Sequence, residues 1–88
     1  MTKMIPSSDV LAAHLAGEAV LLNLADKSYY RLNETAALVW KEIESGSDRA
    51  TILKLLLDKY DVAETEASRE LDVVLDDMIS RKLVALGK

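Results

Sequence analysis
The side chains able to do chemistry are few in this sequence, and their spacing points away from catalysis. There is no cysteine, which excludes disulfides, thiol nucleophiles and thiolate metal ligands. One histidine, His14, cannot by itself build a histidine zinc site, and no Ser/His/Asp arrangement forms around it. The acidic pairs Asp76–Asp77 and Glu64/Glu66 are the remaining candidates for general acid–base work. Helix positions one or two apart diverge by about 100° or more, so these carboxylates read as a solvated face. Gly17, Gly46 and Gly87 stand far apart and make no phosphate-cradling loop.

What remains is recognition by backbone and side-chain shape. Tyr29-Tyr30-Arg31-Leu32 is a short β-favouring run beside a tight polar connection, Ala25-Asp26-Lys27-Ser28. A strand at the edge of a small sheet offers unpaired N–H and C=O groups, to which an extended peptide can add as another strand. Alternate side chains of that guest would then drop into a groove between the strand and a neighbouring helix. A proline at Tyr30 is the expected way to block such an edge.

The totals fit that reading. The chain's 88 residues, half of them hydrophobic, suit one domain spanning 1–88 with a core that needs no staples. A net charge of −4 argues against nonspecific nucleic-acid binding, which rests on Lys and Arg neutralising phosphates. No apolar run approaches the roughly 20 residues of a membrane span. The opening Met1-Thr2-Lys3-Met4-Ile5-Pro6 lacks the apolar core of a secretory signal, and with no cysteines the expected location is cytoplasmic.

Residues 1–9 are expected as a loosely ordered lead-in. Val10–Leu15, Glu18–Leu24 and Ser28–Leu32 are expected as three short antiparallel strands. Asn33 is placed to cap a first helix running to Glu44, with Trp40 as core keystone and Gly46 ending it. A second helix, capped by Ser47 or Asp48, runs to about Tyr60 and turns Ile52, Leu55, Leu56 and Tyr60 inward. The third is expected from Glu66 to about Lys82 with Thr65 as its cap. On a wheel, Ala67, Leu71, Val74, Leu75 and Met78 share its core face, and Val73 stands alone among polar residues. Leu83-Val84-Ala85-Leu86 is an apolar tail that packs back on the domain. The fold class is α+β, a winged helix-turn-helix with three strands ahead of three helices. A DNA-binding version needs a basic recognition helix; the third helix carries Glu70, Asp72, Asp76 and Asp77 instead.

Leu21-Leu22-Asn23-Leu24, Ser28-Tyr29-Tyr30-Arg31-Leu32-Asn33, Val39-Trp40, Tyr60-Asp61-Val62, then Val73, Leu75 and Met78 before Leu83-Val84, in that order, resemble the PqqD-like family. The resemblance covers nearly all of residues 10–86. It implies a non-catalytic precursor-peptide recognition element that takes the leader peptide of a ribosomally made precursor as a strand beside the third strand and third helix. Carried onto this chain, the strand edge is Lys27, Ser28, Tyr29, Tyr30, Arg31 and Leu32, and the helical wall is Val73, Val74, Asp76, Asp77 and Ser80. Asp76 and Asp77 would pair with basic leader residues. No cofactor and no metal are implied.

Asp26-Lys27-Ser28-Tyr29-Tyr30 replaces the glutamate–glycine stretch typical of members serving pyrroloquinoline quinone synthesis. The Tyr-Tyr-x-Leu-Asn form and the chain's length look more like the small leader-binding proteins of lasso-peptide biosynthesis. Those imply a cysteine-protease-type leader peptidase as partner. The alternative is a PqqD-type peptide chaperone working with a radical SAM enzyme. A winged-helix transcriptional regulator is the rival from another class.

Overall fold
The computed structural model describes residues 3–87, which form five strands and three helices. The elements are β1 (Lys3–Pro6), β2 (Val10–Leu15), β3 (Glu18–Asn23), β4 (Tyr29–Leu32), α1 (Glu34–Glu44), α2 (Arg49–Lys59), α3 (Glu64–Ser80) and β5 (Val84–Gly87). None of the described helices is long and apolar enough to cross a membrane.

β2, β3 and β4 make an antiparallel meander in that order, and they are the three strands expected from the sequence. Ala19, Leu21 and Asn23 of β3 alternate inward, as a sheet with one covered face requires. Asn23 is polar and buried, and its Oδ1 accepts from the Ala25 N–H at 2.9 Å, which tightens the chain as it leaves β3. On the opposite face, Leu11, Leu22 and Tyr29 stand side by side across the three strands.

A second sheet corrects the expectation of three strands and of a loose lead-in. β1 pairs antiparallel with β5, Lys3 opposite Gly87 and Pro6 opposite Val84. The Ser7 N–H continues the ladder to the Leu83 carbonyl at 2.9 Å, and Met4 is buried. Neither strand has a local signal, since each is four residues long and becomes a strand only because the other lies beside it. Leu83 and Val84 pack into the core, as the tail was expected to do. Residues 1, 2 and 88 lie outside the described residues.

The helix ends follow local rules. Asn33 caps α1, its Oδ1 accepting from the Ala36 N–H at 2.9 Å, and Asp48 caps α2 through the Thr51 N–H at 2.9 Å. That bond, with the Thr51 side chain, holds the Asp48 carboxyl below its ordinary value of 3.8. Gly46, at φ +86°, closes α1: its N–H reaches the Ile43 carbonyl and the Ser47 N–H the Glu42 carbonyl, both at 3.0 Å. Lys82 plays the same part after α3 at φ +61°, with Lys82 N–H on the Ile79 carbonyl and Leu83 N–H on the Met78 carbonyl. That turn sends Leu83 into the core and the chain on into β5. The expected Thr65 cap is not used. α3 starts two residues early, from Ala63 and without a side-chain cap, with Glu64 and Glu66 in a first turn where the helix dipole favours negative charge.

The core lies between the meander and the helices. Leu21, Val39, Trp40, Ile43, Ile52, Leu71, Met78 and Leu83 are its largest fully buried side chains. Trp40 is the keystone expected, although its Nε1 meets no acceptor among the described residues. Arg49 pins α2 to α3: its Nε donates to Asp72 Oδ1 at 2.9 Å and its Nη2 to Ser68 Oγ at 2.7 Å. This clamp lies on the flank of α3 turned toward α2 and leaves the other flank facing β4.

Candidate functional site: the groove between β4 and α3
Among the described residues, β4 has β3 on one side and no strand on the other. Which of its backbone groups are free follows from the register. The Asn23 N–H donates to the Ser28 carbonyl at 2.8 Å, so this pair is hydrogen-bonded. Alternation along an antiparallel ladder then makes Leu21–Tyr30 and Ala19–Leu32 hydrogen-bonded pairs as well. The N–H and C=O groups of Tyr29 and Arg31 therefore point out to the unpaired edge. The other side of β3 agrees, because the Leu24 N–H donates to the Asp9 carbonyl at 2.8 Å, which puts Leu22 and Val20 in bonded pairs with β2. A guest strand would read Tyr29 and Arg31. Tyr30, expected to be the residue to block, has its N–H turned inward.

Between this edge and α3 lies a groove of about 860 Å³. Tyr29, Tyr30, Arg31 and Leu32 line one side, Arg69, Glu70, Val73, Val74 and Asp77 the other, and Met78 and Leu83 contribute to the floor. Arg69, Val73, Asp77 and Arg81 follow one i, i+4 row along α3, about 18 Å from first to last at 1.5 Å per residue. That length suits an extended segment of about five residues at 3.3 Å each. In that row Val73 is apolar, and Arg69, Asp77 and Arg81 are charged.

One end is bridged. The Arg81 guanidinium lies over the Tyr30 ring, 4.9 Å from its centroid, and Arg81 Nε donates to both Asp77 carboxylate oxygens at 3.0 and 3.1 Å. The Asp77 hydrogen bond and charge, and then Tyr30, raise the Arg81 pKa above its ordinary value. Behind Tyr30, its hydroxyl is 3.0 Å from Ser28 Oγ, and Ser28 in turn donates to Asp26 through its hydroxyl and its N–H. Those two bonds hold the Asp26 carboxyl below its ordinary value of 3.8.

Of the residues nominated from the sequence, Tyr29, Tyr30, Arg31, Leu32, Val73, Val74 and Asp77 come together in the groove. Lys27 sits in the β3–β4 turn at φ +61°, and Ser28 acts behind Tyr30 instead of lining the groove. Asp76 lies on the other flank of α3, beside Leu53, Ser68 and Asp72, and Ser80 is exposed and outside the lining. Asp77 is already paired with Arg81, and Asp76 lies outside the groove lining. Arg69, Glu70 and Arg81 were missed. The signal was available, because they share the i, i+3/i+4 row of Val73 and Asp77. Among the described residues, no group of three or more His, Asp or Glu is placed to hold a metal ion.

The comparisons with known proteins bear on this geometry. The family model described as coenzyme PQQ synthesis protein D, PqqD, matches residues 18–84. The chain belongs to the PqqD family. Among solved structures, TbiB1 in complex with the TbiA(beta) leader peptide is similar at 26% sequence identity and a TM-score of 0.88, over 91% of this chain and 93% of that one. Lasso peptide synthetase B1 complexed with the leader peptide is similar in fold at 23% identity and a TM-score of 0.85, over 93% of this chain and 96% of that one. No curated protein matches in sequence.

Proposed function
We propose that this PqqD-family protein binds the leader region of a ribosomally made precursor peptide as a strand added to β4, walled by α3. It then presents that peptide to a leader peptidase of lasso-peptide biosynthesis. The observation that carries the reading is the free edge at Tyr29 and Arg31 opening onto an apolar-floored groove of the right length. TbiB1, similar over nearly its whole length, is itself a leader-peptide complex, which supports a leader as the guest here.

The protein contributes no chemistry in this reading. It raises the local concentration of the precursor at its processing enzyme, in the cytoplasm where precursors are made. Backbone pairing at Tyr29 and Arg31 sets the register, and the α3 wall selects the side chains. A quinone-cofactor role beside a radical SAM enzyme is the second reading, favoured by the description of the matching family model. It uses the same groove with a different guest.

Fluorescence polarisation with a labelled leader, taken from the precursor encoded beside this gene, tests the proposal. Saturable binding at nanomolar to micromolar Kd, about −12 to −8 kcal/mol, is expected. Absence of binding to any neighbouring precursor overturns it.

A further inference from the structure
The meander has a second open edge, on β2. The Leu24 N–H bonds to the Asp9 carbonyl, and alternation from there puts Leu11, Ala13 and Leu15 in bonded pairs with β3. Val10, Ala12 and His14 therefore turn their backbone groups outward. The Val10 N–H is taken by the Ser7 carbonyl at 3.2 Å, but among the described residues no strand covers Ala12 and His14. Proteins commonly blunt such an edge with Lys, Pro or a bulge. Val10–Leu15 has no Lys, Arg, Asp, Glu or Pro and pairs with β3 without a bulge. Its outer face is apolar as well: Leu11 is 56% and Leu15 59% exposed, with the exposed Ala13 between them. The His14 ring is on the other face, against Glu44 Oε1 of α1 at 3.3 Å.

We infer that this edge joins a second copy of the chain, β2 antiparallel to β2, about a two-fold axis at Ala13. The strand's own pattern selects that occupant. With Ala13 opposite Ala13 of the copy, Ala12 faces His14, and their open N–H and C=O groups satisfy each other on both sides of the axis. Leu11 then meets Leu15 of the copy on the outer face. These are non-bonded pairs, where side chains come closest, and the small Ala13 suits the axis itself. No like charges are opposed, since Asp9 falls opposite Gly17 and Glu18 opposite Ser8. A shift of the axis to Ala12 would need the Val10 N–H that Ser7 already holds. None of Val10–Leu15 lines the groove between β4 and α3, so both grooves stay open at the far ends of the joined sheet. The inference does not depend on what that groove binds.

Sedimentation equilibrium of the full chain tests it. One strand edge buries less than a standard interface, so the mass should rise from 9.7 kDa toward twice that value between about 1 μM and 1 mM protein. Ala13→Lys sets like charges together at the axis and should weaken the dimer at least about tenfold, while the circular-dichroism spectrum keeps its form. Leu11→Glu and Leu15→Lys should each weaken it alone. Mixed in equal amounts, those two variants should dimerise with each other: opposite charges face across one side of the axis, and Leu11 meets Leu15 on the other. A chain that keeps a mass of 9.7 kDa up to about 1 mM overturns the inference. So does a dimer indifferent to all three substitutions, and so does a mass that grows past two copies without limit. Leader binding by Ala13→Lys should match that of the wild type, and a chain that dimerises in this way yet binds no leader overturns strand addition at β4 alone.

Discussion
The two walls of the groove face the same space but work by different physics. β4 offers backbone: four residues whose outward groups, at Tyr29 and Arg31, are the same for any sequence that forms a strand there. α3 offers side chains, because a helix satisfies its own backbone and leaves only its surface for recognition. In the proposed reading a guest would meet an unspecific ladder on one side and a selective row of Arg69, Val73, Asp77 and Arg81 on the other, the strand wall supplying register and the helix wall choice. Damage to the first should therefore harm every guest alike, and damage to the second should harm some guests more than others.

The largest effect should come from a proline pair on β4. Arg31→Pro removes an outward N–H, which an edge strand tolerates, so leader binding should weaken about 30-fold or more while the melting temperature holds within a few degrees. Tyr30→Pro removes an inward N–H paired with Leu21 and should lower the melting temperature by more than about 10 °C. Fluorescence polarisation beside circular dichroism melts separates the two. Equal effects on stability would show that the free groups have been assigned to the wrong residues.

On the helical wall, Val73 is 64% exposed, so Val73→Asp should leave stability within about 0.5 kcal/mol. Its leader affinity should fall about tenfold, from a charge trapped beneath the guest. A leader with a basic residue over that position should lose less, and that difference marks the helix as the selective wall.

Arg81→Ala removes the cation over Tyr30 at an exposed site and should change affinity roughly two- to fivefold. Tyr30→Leu in the same background should add little if the two act as one bridge. Asp76→Asn and Ser80→Ala, both outside the groove, should move the Kd by less than about twofold. Isothermal titration of each variant with the leader checks these smaller effects.

The smallest effect is in the turn behind β4. Asp26 has its folded-state pKa lowered below 3.8, so its contribution to stability is present above that value and is lost as pH falls through the lowered one. The melting-temperature gap between wild type and Asp26→Asn should be constant from about pH 7 to 5 and close below about pH 4. A gap that persisted at pH 2 would remove the carboxylate from the account of the turn.

The sequence by itself determined the local structure of this protein. The alternation of Ala19, Leu21 and Asn23, the Asn33 and Asp48 caps, Gly46 and the apolar face of α3 from Ala67 to Met78 are short-range signals, and the elements follow them. The edge was legible in the β-favouring Tyr29-Tyr30 run and Val73 as a valine alone on a polar face, while α3 as the wall came from the family resemblance. Tertiary structure alone decided the rest. β1 and β5 exist only through pairing between the two ends of the chain, where neither segment has a periodicity of its own. Which β4 groups are free depended on the register with β3, and one residue of shift would exchange Tyr30 for Arg31. Whether Asp77 was a free charge depended on Arg81 and Tyr30 meeting across the groove, a contact set by how α3 docks and absent from any single segment.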